Sequence, residues 1–166
     1  MSAKRHYITT PIYYVNASPH LGHAYTTIVC DATRRFYSIM GYETYFLTGT
    51  DEHGENIARI AAEQNRSAQA VADENSAKFR ALLPQLHARS DDFIRTTEPR
   101  HQRVVQRILA DLHEKGDIYK AQYEGIYCVQ CERFYTDKEL DENRPGICPI
   151  HETQLKPIKE ENYFFR

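Results

Sequence analysis

Three cysteines and a histidine fall late in the chain as two pairs, Cys128-Val129-Gln130-Cys131 and Cys148-Pro149-Ile150-His151, with sixteen residues between the pairs. Two residues between ligands let one tight turn aim both side chains at a single ion, and the separation is close to the usual one in zinc ribbons and knuckles. Three thiolates and an imidazole suit tetrahedral Zn2+, and a set of four protein ligands is structural, so one zinc per chain is expected. Near the other end, His20 and His23 stand three apart where a helical pattern begins, with Gly22 between them, and Asp51-Glu52-His53 follows a β-branched, aromatic run. Two imidazoles on one face of a helix's first turn could bond phosphate oxygens as charge develops on them. The helix start adds backbone N–H groups and the positive end of its dipole. Asp51 offers a carboxylate to a cation such as an amino acid's ammonium group. Plainer readings stand beside these: the histidines could cap the helix or lie in solvent, and Asp51-Glu52-His53 could be a polar turn. Cys30, mid-helix, reads as a small core residue.

The elements that must position these groups follow from period and punctuation. Residues 6–10 (His6 to Thr10) are aromatic and β-branched and stop at Pro11, which predicts a first strand. A loop over 11–19 leads to a helix in which Ala24, Ile28, Ala32, Phe36 and Met40 recur at four-residue steps as one apolar face, with Gly41 as its stop. Residues 43–50 predict a second strand. Strand, helix and strand at this spacing form a βαβ unit with parallel strands and a right-handed crossover. Open parallel sheets bind ligands beyond the carboxyl ends of their strands, the edge at which the loop 11–19, the helix start and Asp51 all fall. Residues 55–89 read as helical in two stripes, the first with Ile57, Ile60 and Ala61. The second follows a cap at Ser67, carries Val71, Phe79, Leu82 and Leu83, and is ended or kinked by Pro84. A short strand over 91–97 and an amphipathic helix over 99–115, closed by Gly116, complete an α/β region. Short alternating strands and the cysteine pairs come after it, so a module boundary is placed near 116.

Composition narrows the classes. The 166 residues are 41% hydrophobic and 27% charged, ordinary for a globular chain, and the net charge of −2 gives no global basic signal for nucleic acid. Residues 1–10 lack the apolar core of a signal peptide, and no run approaches the ~18 apolar residues of a membrane helix. The expected location is cytoplasmic, without membrane contact, where a Cys-x-x-Cys pair is metal-binding or redox-active before it is a disulfide.

Two longer segments carry a family resemblance. Pro11-Ile12-Tyr13-Tyr14-Val15-Asn16-Ala17-Ser18-Pro19-His20-Leu21-Gly22-His23-Ala24-Tyr25 resembles the HIGH signature region of class I aminoacyl-tRNA synthetases in its methionine form. Phe46-Leu47-Thr48-Gly49-Thr50-Asp51-Glu52-His53-Gly54 resembles the strand-end segment of the same enzymes, and the cysteine-histidine knuckle looks like their zinc-bearing insertion. The resemblance implies the first half of a Rossmann-like nucleotide-binding fold over 1–116, an inserted zinc knuckle over 117–157, and a segment over 158–166 leading back toward the catalytic core. It implies ATP-dependent activation of L-methionine to methionyl-adenylate and transfer to tRNA(Met), with ATP and Mg2+ entering as substrate. Under it His20 and His23 would contact ATP phosphates as catalytic residues, and Gly22 would let the adenine moiety pack closely. Asp51 would bind the methionine ammonium group, and Ile12 and Tyr13 would line the amino-acid pocket. Cys128, Cys131, Cys148 and His151 would hold the zinc.

The family's Lys-Met-Ser-Lys-Ser loop is not in the sequence. The resemblance places it in the second half of the nucleotide fold, so the chain alone is expected to be inactive. Two other readings remain open on the residues themselves: a non-catalytic zinc module that binds RNA or protein, and a metallohydrolase using His20, His23, Asp51 and His53. One zinc per chain favours the synthetase reading, and two favour the hydrolase.

Overall fold

Tyr7, Ile8 and Thr9 of β1 (Arg5–Thr9) lie in parallel register beside Tyr45, Phe46 and Leu47 of β3 (Glu43–Asp51), and α1 (Leu21–Ile39) bridges the two strands. The predicted βαβ unit is thus present in the computed structural model, which describes residues 4–141 and 144–166. Residues 1–3 of the expected nucleotide-binding half, and 142–143 of the expected knuckle, lie outside the described residues. β3 is the central strand of a four-stranded parallel sheet: β2 (Tyr13–Tyr14) pairs with Thr50 and Asp51, and β4 (Asp92–Arg95) with Leu47 to Thr50. Gly49 stands opposite Ile94, and a Cβ there would lie 2.0 Å from the Ile94 carbonyl oxygen, so glycine is what lets β3 and β4 close up.

The face of α1 that meets the sheet is not the apolar one read from the sequence. Ile28, Ala32, Phe36 and Met40 are exposed, and Thr27, Cys30 and Asp31 are buried. Polar bonds select this face. The Thr27 hydroxyl meets the Tyr13 hydroxyl at 3.0 Å, and the Cys30 thiol donates to the Thr9 carbonyl at 3.6 Å. Asp31 accepts from Arg34, from Arg35 and from the backbone N–H of Arg89. Burial pushes the Cys30 thiol up and works against the Asp31 carboxylate, which its three donors nonetheless hold below its usual value. Hydrophobic periodicity cannot register bonds of this kind.

α2 (Glu55–Glu63) and α3 (Ala68–Gln85) are separated by Asn65 in the left-handed region, φ 52°. The Ser67 side chain caps α3 by accepting from the Ala70 N–H, as the sequence indicated. Pro84 lies in the last turn, and the helix closes one residue beyond it; His87 then turns left-handed at φ 52° while Ala88 N–H returns to the Leu83 carbonyl. The core of this unit is Tyr13, Val15, Ile57, Ala72, Phe79 and Phe93, with Leu83 packed against it.

The contacts divide the chain into a unit reaching to His53 and including Ile57–Gln102, and a unit made of Gly54–Asn56 and Arg103–Arg166. The division lies within α4 (Pro99–Glu114), fourteen residues before the boundary expected at 116. The second part of α4 contributes Leu109, Ala110 and His113 to a cavity of about 370 Å3 shared with Ile118 and Tyr163. In the same unit β5 (Ile118–Cys128) pairs antiparallel with β6 (Arg133–Tyr135) and, along nearly its whole length, with β7 (Lys156–Phe165). Residues 158–166, read as a returning connector, are therefore mostly sheet. The core here is Cys128, Tyr135, Cys148 and Leu155, flanked by Ile126, Cys131 and Leu140. No described helix is long and apolar enough to cross a membrane.

Candidate functional site

The first turn of α1 is held by two histidine rings acting on each other's backbone. His20 Nδ1 accepts from the Gly22 N–H at 3.1 Å, and His23 Nδ1 accepts from the His20 N–H at 3.0 Å, a reciprocal capping box. The capping reading of the histidines is therefore correct as geometry, and it has a chemical consequence. With Nδ1 an acceptor in both rings, the bonding pattern assigns the proton of each neutral imidazole to Nε2, which becomes a donor. Burial, aided by the neighbouring His20, pulls His23 below the usual histidine value and favours its neutral form. His23 meets Tyr13 and Phe79 edge-on, at 4.8 and 4.9 Å between ring centroids. A Cβ on Gly22 would lie 3.0 Å from the His20 ring, so the glycine makes room for the cap itself.

His20, Gly22 and His23 line a cavity of about 530 Å3 together with Ile12 and Tyr13, and also with Tyr14, Asn16, Ala17, Ser18 and Thr26, which the sequence did not single out. Ile12 is exposed. Tyr13 is mostly core, its hydroxyl shared between Thr27 and the His23 carbonyl, and burial pushes its phenol up. The amides of His23 and Ala24 are satisfied by the His20 carbonyl and that of Gly22 by its ring, so what this helix start offers is mainly imidazole N–H.

Asp51 is not among the residues lining that cavity; it ends β3 as the register partner of Tyr14, which does line it. The Thr96 hydroxyl lies 3.5 Å from an Asp51 carboxylate oxygen and accepts from the Glu52 N–H at 2.8 Å. Glu52, whose side chain is wholly buried, receives both arms of Arg95 at 2.6 and 2.8 Å and the hydroxyls of Thr50 and Thr97 at 2.6 Å each. Burial works against this carboxylate, but Arg95 and the two hydroxyls outweigh it and hold it below the usual glutamate range. The backbone beside Asp51 is thereby clamped across β3 and β4. Sequence reading assigned Glu52 no role, because Arg95 and Thr97, which bond it from β4 and just beyond, lie more than forty positions away.

Cys128, Cys131, Cys148 and His151 bring their ligand atoms within 4.8 Å of one another. Cys131 Sγ is 3.6 Å from Cys148 Sγ, near the ~3.8 Å that two Zn–S bonds of about 2.3 Å subtend at a tetrahedral angle. Backbone N–H groups of Cys131 and His151 point at the sulfurs of Cys128 and Cys148, both at 3.4 Å. Burial opposes ionisation of Cys148, but the N–H groups of His151 and Ile150 and the Tyr135 hydroxyl bring it down to about 5. Cys131 bonds to the same hydroxyl, yet burial and its neighbouring sulfurs hold it up. Among the described residues this is the one group found able to hold a metal ion; His20, His23, Asp51 and His53 form no such cluster. That removes the geometric basis of the hydrolase reading.

The family described as tRNA synthetases class I (M) matches residues 6–161. The methionine--tRNA ligase of Thermotoga maritima is 47% identical over 161 residues, 96% of this chain and 26% of that protein. The enzyme of the same name from Thermosynechococcus vestitus is 49% identical over 160 residues, 96% of this chain and 30% of its own. Among solved structures, Mycobacterium tuberculosis methionyl-tRNA synthetase in complex with methionyl-adenylate superposes with a TM-score of 0.91 at 38% identity, over 98% of this chain and 32% of that one. The chain thus spans about a quarter to a third of the length of these relatives.

Proposed function

We propose that this chain, which belongs to the methionyl-tRNA synthetase family of class I, carries the histidine half of an active site that joins L-methionine to AMP and then to tRNA(Met). In the first step the methionine carboxylate forms a bond to the α-phosphorus of ATP, and the bond to the pyrophosphate oxygen breaks. In the second the terminal adenosine hydroxyl of the tRNA takes the methionyl group, and AMP leaves. The observation that carries this reading is the reciprocal cap of His20 and His23 on the rim of the 530 Å3 cavity. It leaves two Nε2–H donors that keep their orientation while phosphate charge develops, the condition for electrostatic stabilisation of a transition state. Gly22 would give the nucleotide a close approach to the helix start. Ile12, Tyr13 and Tyr14 would shape the pocket side of the loop, and Asp51, fixed by Thr96 and by the Glu52 clamp, would receive the methionine ammonium group. Mg2+ would arrive with ATP.

Cys128, Cys131, Cys148 and His151 would hold one structural zinc, whose role is to fold the turns that present them. A cytoplasmic location suits this cluster, because a reducing compartment keeps its thiols free.

The test is methionine-dependent exchange of labelled pyrophosphate into ATP by this chain joined to the remaining catalytic segment of a relative. Exchange above background is expected, and Asp51→Asn should raise the methionine KM roughly 10–100-fold, the loss of about 1.5–3 kcal/mol in a charged hydrogen bond. An unchanged KM in that variant removes Asp51 from the pocket, and exchange that does not depend on methionine overturns the substrate.

A further inference from the structure

We propose that Tyr135 is a positioning residue for the metal cluster: once the cysteines are ionised to bind zinc, its single hydroxyl proton is donated to the Cys131–Cys148 edge, on the side of the nearer Cys131, and so sets how tightly zinc is held and how much charge that sulfur gives it. This rests on the zinc reading of the cluster given above. Tyr135 is buried at 5% exposure, and its oxygen lies 3.2 Å from Cys131 Sγ and 3.6 Å from Cys148 Sγ. Peptide N–H groups reach the other sulfurs, that of Cys131 to Cys128 and those of His151 and Ile150 to Cys148, while the His151 ring nitrogen, a cluster ligand itself, lies 3.1 Å from Cys131 Sγ. Cys131 has no peptide donor among the described bonds, and the hydroxyl stands in for it. Three thiolates and a neutral imidazole around Zn2+ carry one net negative charge, so each donor aimed at sulfur stabilises the loaded site, as outer partners of metal ligands generally do.

The fold places the hydroxyl here by register. β6 returns along β5 with Arg133 opposite Cys128 and Tyr135 opposite Ile126, which carries the ring back under the turn that holds the first two cysteines. The Arg133 guanidinium lies 4.4 Å from the Tyr135 ring centroid. A cation on the ring face withdraws electron density and makes the phenol a stronger donor. A purely packing role is the alternative, since Tyr135 also belongs to the core of this unit.

Tyr135→Phe separates the two, because it keeps the ring and removes the hydroxyl. Zinc affinity of the whole chain is measured by competition with a chromogenic chelator, and cobalt(II) is then substituted to read the sulfurs directly. Affinity should fall 10–100-fold, the usual cost of losing an outer hydrogen bond. The thiolate-to-cobalt charge-transfer band should move to lower energy, since an unbonded sulfur is more easily oxidised, while the cobalt d–d bands keep their tetrahedral form. Unchanged affinity and an unmoved charge-transfer band overturn the proposal, as does a variant that alters the d–d bands alone, which would mark a packing role. If the phenylalanine variant does not fold, Arg133→Gln leaves the hydroxyl in place and should give a smaller shift in the same direction; no shift overturns the proposal. Cys131→Ser should abolish stoichiometric zinc; full retention would refute the zinc reading itself.

Discussion

Whether the Nδ1 atoms of His20 and His23 are free of protons decides whether α1 has its cap. Each must accept from a backbone N–H, so protonation of either ring breaks one half of the box. His23 lies below its ordinary value when folded, so its contribution is fully present above the unfolded value of about 6.5 and is lost as pH falls through the folded value. Protection of the first-turn amides of α1, taken relative to their intrinsic exchange rate at each pH, should fall as pH is lowered from neutral to below about 6.5, with little change along β3; a first turn equally protected throughout would remove the cap from the account. Glu52 behaves as a carboxylate of the opposite environment, buried and fully bonded. Its stabilisation is present above about pH 4.5 and lost as pH falls through the lowered folded value. Glu52→Gln should cost on the order of 3 kcal/mol in urea unfolding, because Arg95 keeps its charge with Asp73 as its remaining partner. A variant as stable as the parent would mean that the clamp is dispensable. At this scale the candidate residues that the structure brings together were legible where spacing is local, as in Cys128 to Cys131 or His20 to His23. Glu52, Thr96 and Tyr135 were not, because their roles come from partners that only the folded chain brings within reach.

Elements were legible to the extent that a single period governed them. β1, α1 and β3 stand within a residue or two of their predicted bounds, since β-branched runs and glycine stops are local signals. The short strands read between Ile118 and Tyr127 proved to be one eleven-residue strand, held together by β7, which begins only at Lys156. Gly49 shows the same limit. Within a strand pattern it reads as a weak point, yet the approach of the Ile94 carbonyl makes it obligatory. Gly49→Ala should push β3 and β4 apart and destabilise the parallel sheet by about 2 kcal/mol or more, a small-to-large change in a filled space. Equal thermal stability of the alanine variant would contradict the packing described.

At the scale of the whole molecule, the two units differ in what holds them. The first has a mainly large-side-chain apolar core; among the described residues the core of the second is four buried residues, two of them cysteines of the group that could hold a metal ion. A chelator should therefore unfold β5 to β7 and expose them to protease while α1 to α3 keep their helical signal, and resistance of both units to chelation would refute a metal-dependent core. The first unit in turn leaves its own mark on solution behaviour. α1 is roughly 28 Å long, and Leu21, Tyr25, Ile28, Phe36, Ile39 and Met40 along it remain exposed. A continuous greasy ridge of that length makes the chain a poor colloid. Light scattering should give a mass that rises with concentration above 19.4 kDa, more steeply in sulfate than in chloride, because excluded salts strengthen apolar association. Ile28→Lys together with Phe36→Glu should return the particles to the monomer mass without loss of helix, since both side chains already face water.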